Sequence, residues 1–574
     1  MPKSNLKLFL SFFKFSLPYR KQWLWVLILS GLVAVLSLVN PYLIKIAIDE
    51  GINQKKLGLF IIIILIGGVV FLLQEILDGI RRFFEEFIRI RVNFAINKKL
   101  FRHIFFLSLN WFKDKSTGEH IYKIDNDISA VTDFITNTLP QAFYIFPKLL
   151  FILIILFYLD WRIALFSLIL APLLYFSPYY LSKKMKRSCE DLIMNSEAIL
   201  KHLEENFSHI YLIKVFAQEM PGIIRYLKML IENIRIRIKE IRLEIMGSFL
   251  INLSTNALVG IMVIFCGFLI IKGKLSLGTL TAIMVYLYQL MGLESQFASF
   301  FHNAIVGRVS CARITEVLDT PAEIGEVKGA KNLVVNEPKV VFEEVSFGYV
   351  PEKLILKNMS FVIKAKSHIV IAGPSGCGKT TLLCLLIRLY DCWEGEILID
   401  GFNIKEVTLD SLRKQVGFSL QEPFLWNDTI ENNIRYGKED ASREEINRVG
   451  KLCGVDEFIN QMPGGYATVI GENACKISEG QKQKIAIARA LIKKPKILIL
   501  DEAMSSMEPA SEEEIISNIK NNYPDLTLII VSHRLSTVMN AELVYYFSRP
   551  NEMIMDKPKD LFKGNREFAH LFSA

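Results

Sequence analysis

Several features that would steer a reading elsewhere are missing from this 574-residue chain. Its eight cysteines, at 189, 266, 311, 377, 384, 392, 453 and 475, never fall into CxxC or CxxH spacing, which removes the usual zinc sites and leaves free thiols as the expected state. Internal repeats of solenoid length and low-complexity tracts are absent, so neither a repeat array nor a disordered tail is expected. Charged residues are scarce, at 22%, against 51% hydrophobic residues and a mean hydropathy of +0.32, the balance of a membrane protein with a soluble part. No small-residue cleavage site follows the basic and apolar start Met1 to Lys14. Lys7 and Lys14 among Phe and Leu therefore read as a retained interfacial helix over 1–20. Acidic groups are the minority, giving a net charge of +8, but the basic residues stand beside apolar runs rather than in a nucleic-acid patch.

What is present first is hydrophobic length. Uncharged or nearly uncharged runs cover Trp23–Ile44, Leu57–Gln74, Ala142–Leu159 (interrupted by Lys148), Ile163–Ser182, Ile245–Ile271 and Leu275–Leu293. A helix needs about 20 residues to cross the hydrocarbon core, so these runs predict six spans within an all-α domain over 21–317. Connections between spans alternate between short ones, at 49–56, 160–162 and 272–274, and two long amphipathic ones. The long ones hold Arg81, Arg82, Arg89, Arg91, Lys98 and Lys99, then Lys183, Lys184, Lys186 and Arg187. The positive-inside bias puts them, both termini and everything after the last span in the cytosol. A polar stretch with Asp319-Thr-Pro321 and Gly325 to Lys331 marks a linker at 318–336, and a second domain occupies 337–574.

That second domain carries the chemistry. His368 to Ala372 is short, apolar and β-branched, and Thr381 to Leu389 is apolar and helical. Between them runs Gly373-Pro374-Ser375-Gly376-Cys377-Gly378-Lys379-Thr380-Thr381, a glycine-rich loop whose backbone N–H groups can wrap phosphates at a helix N-terminus. Lys379 would reach the β- and γ-phosphates and the Thr380 hydroxyl would face Mg²⁺, so ATP and Mg²⁺ are the expected ligands. Cys377, inside this loop, is a candidate for alkylation that blocks the site. Lys496 to Glu502 reads as a buried strand ending in Asp501, a metal ligand, and Glu502, a base for water.

With Ile477-Ser478-Glu479-Gly480-Gln481 ahead of a basic helix, the chain resembles the ATP-binding cassette family, whose signature reads LSGGQ. Tyr349 in Val-Ser-Phe-Gly-Tyr, Gln421 in Ser-Leu-Gln-Glu-Pro and His533 in Val-Ser-His-Arg-Leu follow the family's order. The resemblance implies an α/β nucleotide-binding domain with a helical subdomain. In it Tyr349 stacks on adenine, while Thr380, Gln421 and Asp501 serve the metal. Glu502 polarises water, His533 contacts the γ-phosphate and Gln421 senses it. It also implies that Ser478, Glu479, Gly480 and Gln481 close over ATP held by a partner cassette, so the chain is half of a dimer. The first 300 residues resemble the family's exporters, with coupling segments at Thr117–Ile128 and Ile213–Glu219; fusion of both domains in one chain favours export across the inner membrane.

Two departures from the family pattern stand out. Glu479 replaces a glycine, and two like charges at ~4 Å repel by about 4 kcal/mol at an effective dielectric near 20 unless the side chain turns to solvent or Lys482. Ser505-Ser-Met-Glu508 replaces the usual SALD. A homodimer is the first expectation and a heterodimer with an LSGGQ-bearing partner the second. An ATP-gated channel or regulator on the same scaffold is opposed by intact Glu502 and His533, and a soluble cassette protein by the spans. The cargo, whether lipid, drug or peptide, is not specified. Candidate pathway residues are Gln74, Glu75, Asp78, Lys148, Asn252, Ser254, Asn256, Gln289, Glu294 and Gln296, with Tyr144, Tyr175, Tyr286 and Tyr288; Asn252, Asn256 and Gln289 serve equally well as interhelical hydrogen-bonding groups.

Overall fold

The computed structural model describes residues 11–114, 123–165, 191–321, 324–327, 329–350, 353–471, 476–549 and 551–572. The chain divides into two compact units, 1–107 with 111–321, and 108–110 with 322–574.

The first unit is helical. Its long members are α1 (Arg20–Ile46), α2 (Leu57–Phe105), α3 (Leu139–Leu159), α4 (Glu219–Ile271) and α5 (Leu277–Asp319). At 1.5 Å per residue the 49 residues of α2 extend about 73 Å, more than twice a bilayer core of about 30 Å, so the helix must continue beyond the membrane. Its two halves differ accordingly. In the uncharged half Leu65, Val69 and Leu72 are 65, 65 and 62% exposed, which suits contact with lipid. In the charged half Ile88, Val92, Ile96, Leu100 and Ile104 repeat every fourth residue as one buried stripe, packed with Ile128, Val131, Cys311 and Ile314.

Among the described residues, Leu17–Ile52, Leu57–Phe105 and Ile124–Leu159 are long and apolar enough to cross a membrane. Val259–Ile271 and Leu277–Leu290 are shorter apolar portions of α4 and α5. Most of the expected fourth span, 163–182, lies outside the described residues, as do Tyr175 and the basic cluster 183–187. So does the 117–122 part of the first coupling segment; in its remainder, which runs to Ile128, Asp127 is buried and bonded to Ser310 and Arg313. The second contains a short helix, Ile210–Val215, just before α4. Gln289 donates to the Ser37 carbonyl at 2.9 Å and Tyr286 to that of Leu38 at 2.6 Å, so both tie α5 to α1. Asn256 instead bonds back to Asn252 within α4.

The second unit is α/β. Strands β1 (Val340–Phe347), β2 (Leu356–Ile363), β4 (Glu394–Ile399) and β5 (Phe402–Asn403) form an antiparallel sheet in the order β2-β1-β4-β5. Strands β3 (His368–Ala372), β6 (Val416–Ser419), β7 (Ile497–Asp501), β8 (Thr527–Val531), β9 (Leu543–Arg549) and β10 (Glu552–Asp556) form the other, in the order β10-β9-β3-β8-β7-β6. β9, β3, β8, β7 and β6 run parallel. Because side chains alternate faces, Val370, Leu498, Leu500, Leu528 and Ile530 enter one core, and Ile369, Ile371, Ile497, Ile499 and Ile529 the other. Burial on both faces explains why these strands read as continuous apolar runs.

Helices α6 (Lys379–Leu386), α7 (Arg443–Leu452), α8 (Glu479–Leu491) and α9 (Pro509–Asn522) accompany the sheet. The described cysteines, Cys266, Cys311, Cys377, Cys384, Cys392 and Cys453, are all free thiols.

Candidate active site

In an open parallel sheet, ligands gather at the carboxyl ends of the strands. Four adjacent strands deliver the candidate residues there. β3 ends at Ala372 and feeds Gly373; β8 ends at Val531, two residues before His533; β7 ends in Asp501 and passes to Glu502; β6 ends at Ser419, two residues before Gln421. Strand order, rather than sequence proximity, brings the four together.

The phosphate loop has the shape of an anion cradle. Gly376 has φ +82°, with open space where a Cβ would stand. Gly378 caps α6 at φ +101°, and a Cβ there would lie 2.9 Å from Leu356, so only glycine fits. Lys379 is buried, and its ammonium donates to the carbonyls of Gly373 and Pro374 at 2.8 and 2.9 Å, held over the loop. Cys377 is 2% exposed and packs in the core beneath, so the thiol is not offered to alkylating reagents as the sequence suggested. Tyr349 meets Thr381 through its hydroxyl at 3.1 Å and packs edge-on against Phe347 and Tyr390.

Glu502 is the centre of a polar group. Its Oε1 stands 3.0 Å from His533 Nε2, and its Oε2 accepts from Gln421 Nε2 at 2.8 Å. Its backbone is left-handed, at φ +48°, a conformation costly for a non-glycine residue and held here by its N–H donating to the Val531 carbonyl. Asp501 hydrogen-bonds with Thr380. Burial raises its pKa; the Thr380 bond opposes the rise, Glu502 adds to it, and Lys379 opposes it. A carboxylate whose charged form is disfavoured by burial is a ready partner for a cation. Together the Thr380 hydroxyl, the Asp501 carboxylate and the Gln421 amide are hard oxygen donors. They fit Mg²⁺, which takes one or two carboxylates plus substrate phosphates rather than a full protein cage. No group of three His, Cys, Asp or Glu that could hold a metal occurs among the described residues.

The signature residues bond among themselves rather than with this group. Ser478 caps α8 and accepts from the Gln481 N–H at 3.4 Å, while the Gln481 side chain accepts from the Ser478 N–H at 2.9 Å. Glu479, 63% exposed, is turned back to Lys482 at 2.7 Å. Its charge also stands in the first turn of α8, where the helix dipole favours an anion. Gly480 lies against the next loop: a Cβ would come within 3.0 Å of the Ser506 carbonyl.

Sequence reasoning missed the braces around these residues. Buried Gln483 donates to Ser505 and Ser506 and accepts from the Ser506 N–H at 3.1 Å. Arg534 donates to the carbonyls of Ser505 and Met507 at 2.8 and 2.7 Å and to buried Glu512 at 2.5 Å. Arg489 donates to the Phe424 and Asn433 carbonyls, and burial lowers its pKa to about 10. Arg534 and Arg489 were visible as cations beside the motifs, but their partners come from distant segments.

A phosphate-loop ATPase domain fused to a helical membrane domain is therefore the class that fold and site define. Residues 23–293 match the family description "ABC transporter transmembrane region" and residues 356–505 match "ABC transporter". The ATP-dependent lipid A-core flippase of Desulfotalea psychrophila is 30% identical over 560 residues, 97% of each chain. The putative multidrug export ATP-binding/permease protein YgaD of Bacillus subtilis is 30% identical over 570 residues, 98% of each. A bacterial Atm1-family ABC exporter solved with ATP bound superposes with a TM-score of 0.86 at 27% identity, covering 96% of this chain and 97% of that one. The chain belongs to the ATP-binding cassette transporter family, among its exporters.

Proposed function

We propose that this chain is half of a homodimeric translocase of the cytoplasmic membrane, coupling ATP hydrolysis to export of an amphipathic cargo. The observation that carries the reading is the convergence of Gln421 and His533 on Glu502 beside the phosphate loop. Lipid A-core flippase and multidrug export activities named for relatives make a lipid or drug the leading cargo class.

Tyr349 stacks on adenine, and Lys379 exchanges its loop carbonyls for the phosphates. Thr380, Gln421 and Asp501 would hold Mg²⁺, which would supply neutralisation of phosphate charge. Glu502 takes a proton from the water whose oxygen bonds to the γ-phosphorus as the bond to the bridging oxygen breaks, ADP leaves with that bridging oxygen, and inorganic phosphate is the second product. His533 orients Glu502 and donates toward the γ-phosphate; Gln421 reports its presence. Ser478, Gly480 and Gln481 close over ATP held by the partner subunit, and Glu479 stays with Lys482. ATP binding thus favours the closed pair of cassettes, and loss of the γ-phosphate releases it, driving alternating access. The Lys- and Arg-rich segments support a cytosolic cassette and cytosolic termini.

A heterodimer is the second reading, favoured by Glu479 and the Ser505–Glu508 loop. Native mass measurement of the purified complex, paired with its ATPase rate, separates the two. A complex of two identical chains that hydrolyses ATP is the expected result; an inactive chain that gains activity only with a different half-transporter would replace it.

A further inference from the structure

The helical unit contains a cavity of about 550 Å³ whose lining differs in kind from the apolar surface around it. After its uncharged run, α2 places Glu75, Asp78, Arg81, Arg82 and Glu85 along this cavity. Gln141 of α3 and Gln296 of α5 add amides to the lining.

Most of these charges cancel within α2. Asp78 takes Arg81 on Oδ1 at 2.7 Å and Arg82 on Oδ2 at 2.6 Å, and Arg81 also reaches Glu85 at 2.6 Å. Glu75 is left over, with no cation paired to it among the described residues. Arg82 is 73% exposed and commits one ion pair, although a guanidinium carries five donors. Seven residues apart, Glu75 and Arg82 share a face of α2 and stand about 10 Å apart along its axis. A purely anionic ligand would meet three carboxylates here and a purely cationic one two guanidiniums; a dipolar ligand can match both ends. Val33 of α1 and Tyr144 of α3 are the apolar members of the same lining, a surface for a tail.

Resting on the exporter reading, we propose that this cavity binds a zwitterionic head group on a tailed cargo, its ammonium toward Glu75 and its anionic group toward Arg82. Hexylphosphocholine, hexyltrimethylammonium and hexyl sulfate share a tail and differ in head charge. Below their micellar range they are titrated calorimetrically into the purified full chain in nanodiscs. The phosphocholine should bind at least about tenfold more tightly than either monopolar compound, a difference of about 1.4 kcal/mol. Glu75→Gln should erase the discrimination against the sulfate. Arg82→Gln should erase that against the trimethylammonium, and Arg82→Lys, which keeps the charge, should retain it. No binding, equal binding of all three, or a ranking untouched by the Gln variants overturns the proposal. ATP hydrolysis is measured on the same samples: its absence in the unmodified chain would fault the exporter reading, whereas intact hydrolysis without head-group selectivity faults this site alone.

Discussion

Glu502, Asp501 and Glu479 are three carboxylates with three different roles, each set by what surrounds it. Asp501 is raised by burial, so its charged form is disfavoured in the folded chain. By linkage, its contribution is most favourable below the ordinary carboxylate range and is lost as pH rises through its elevated folded value. Asp501→Asn should therefore raise the melting temperature of the nucleotide-free protein near neutrality while abolishing the extra stabilisation from Mg-ATP. A drop in melting temperature without nucleotide would show that the charge is not a burden. Glu479, by contrast, is solvent-facing and held by Lys482, an exposed pair worth little. Glu479→Gly should change the ATPase rate by less than about threefold, under about 0.7 kcal/mol. A much larger gain would mean that the carboxylate does oppose the partner's phosphate.

Elements, more than single residues, decide which motifs can cooperate. Strands β3 and β7 were legible as apolar runs, because burial on both faces leaves a nearly unbroken apolar signature, whereas β6 and β8 were marked only by the motifs that follow them. The order of those strands was not legible from periodicity, since parallel pairing is fixed by packing between segments far apart in sequence. The same holds for the brace around Asn433. Fully buried, it accepts from the Trp426 N–H and from Arg489 at 2.9 Å and donates to the Trp426 and Thr429 carbonyls at 3.0 Å. It thereby holds the segment after Gln421 against α8. Asn433→Ala leaves buried partners unsatisfied and should cost about 1–3 kcal/mol, read by chemical or thermal unfolding. It should also lower ATPase activity, and full stability in that variant would remove Asn433 from this role.

Taken whole, the chain joins a lipid-facing helical unit to an ATPase unit, and the two were unequally readable. The site residues stood out because phosphate chemistry demands fixed residue types at fixed spacing. The spans stood out because lipid demands apolar length, visible in the outward-facing half of α2. The cavity charges on α2 were readable as polar residues but not as a network, because i,i+3 and i,i+4 pairing shows which partner is possible, not which is made. The central claim is that this chain's own cassette hydrolyses ATP through Glu502. Its most direct test is the turnover of Glu502→Gln in reconstituted membranes, with Mg-ATP binding followed in parallel by thermal stabilisation. Binding should persist while hydrolysis falls by about 10²–10⁴-fold, the usual contribution of a general base; an unchanged turnover would contradict the account.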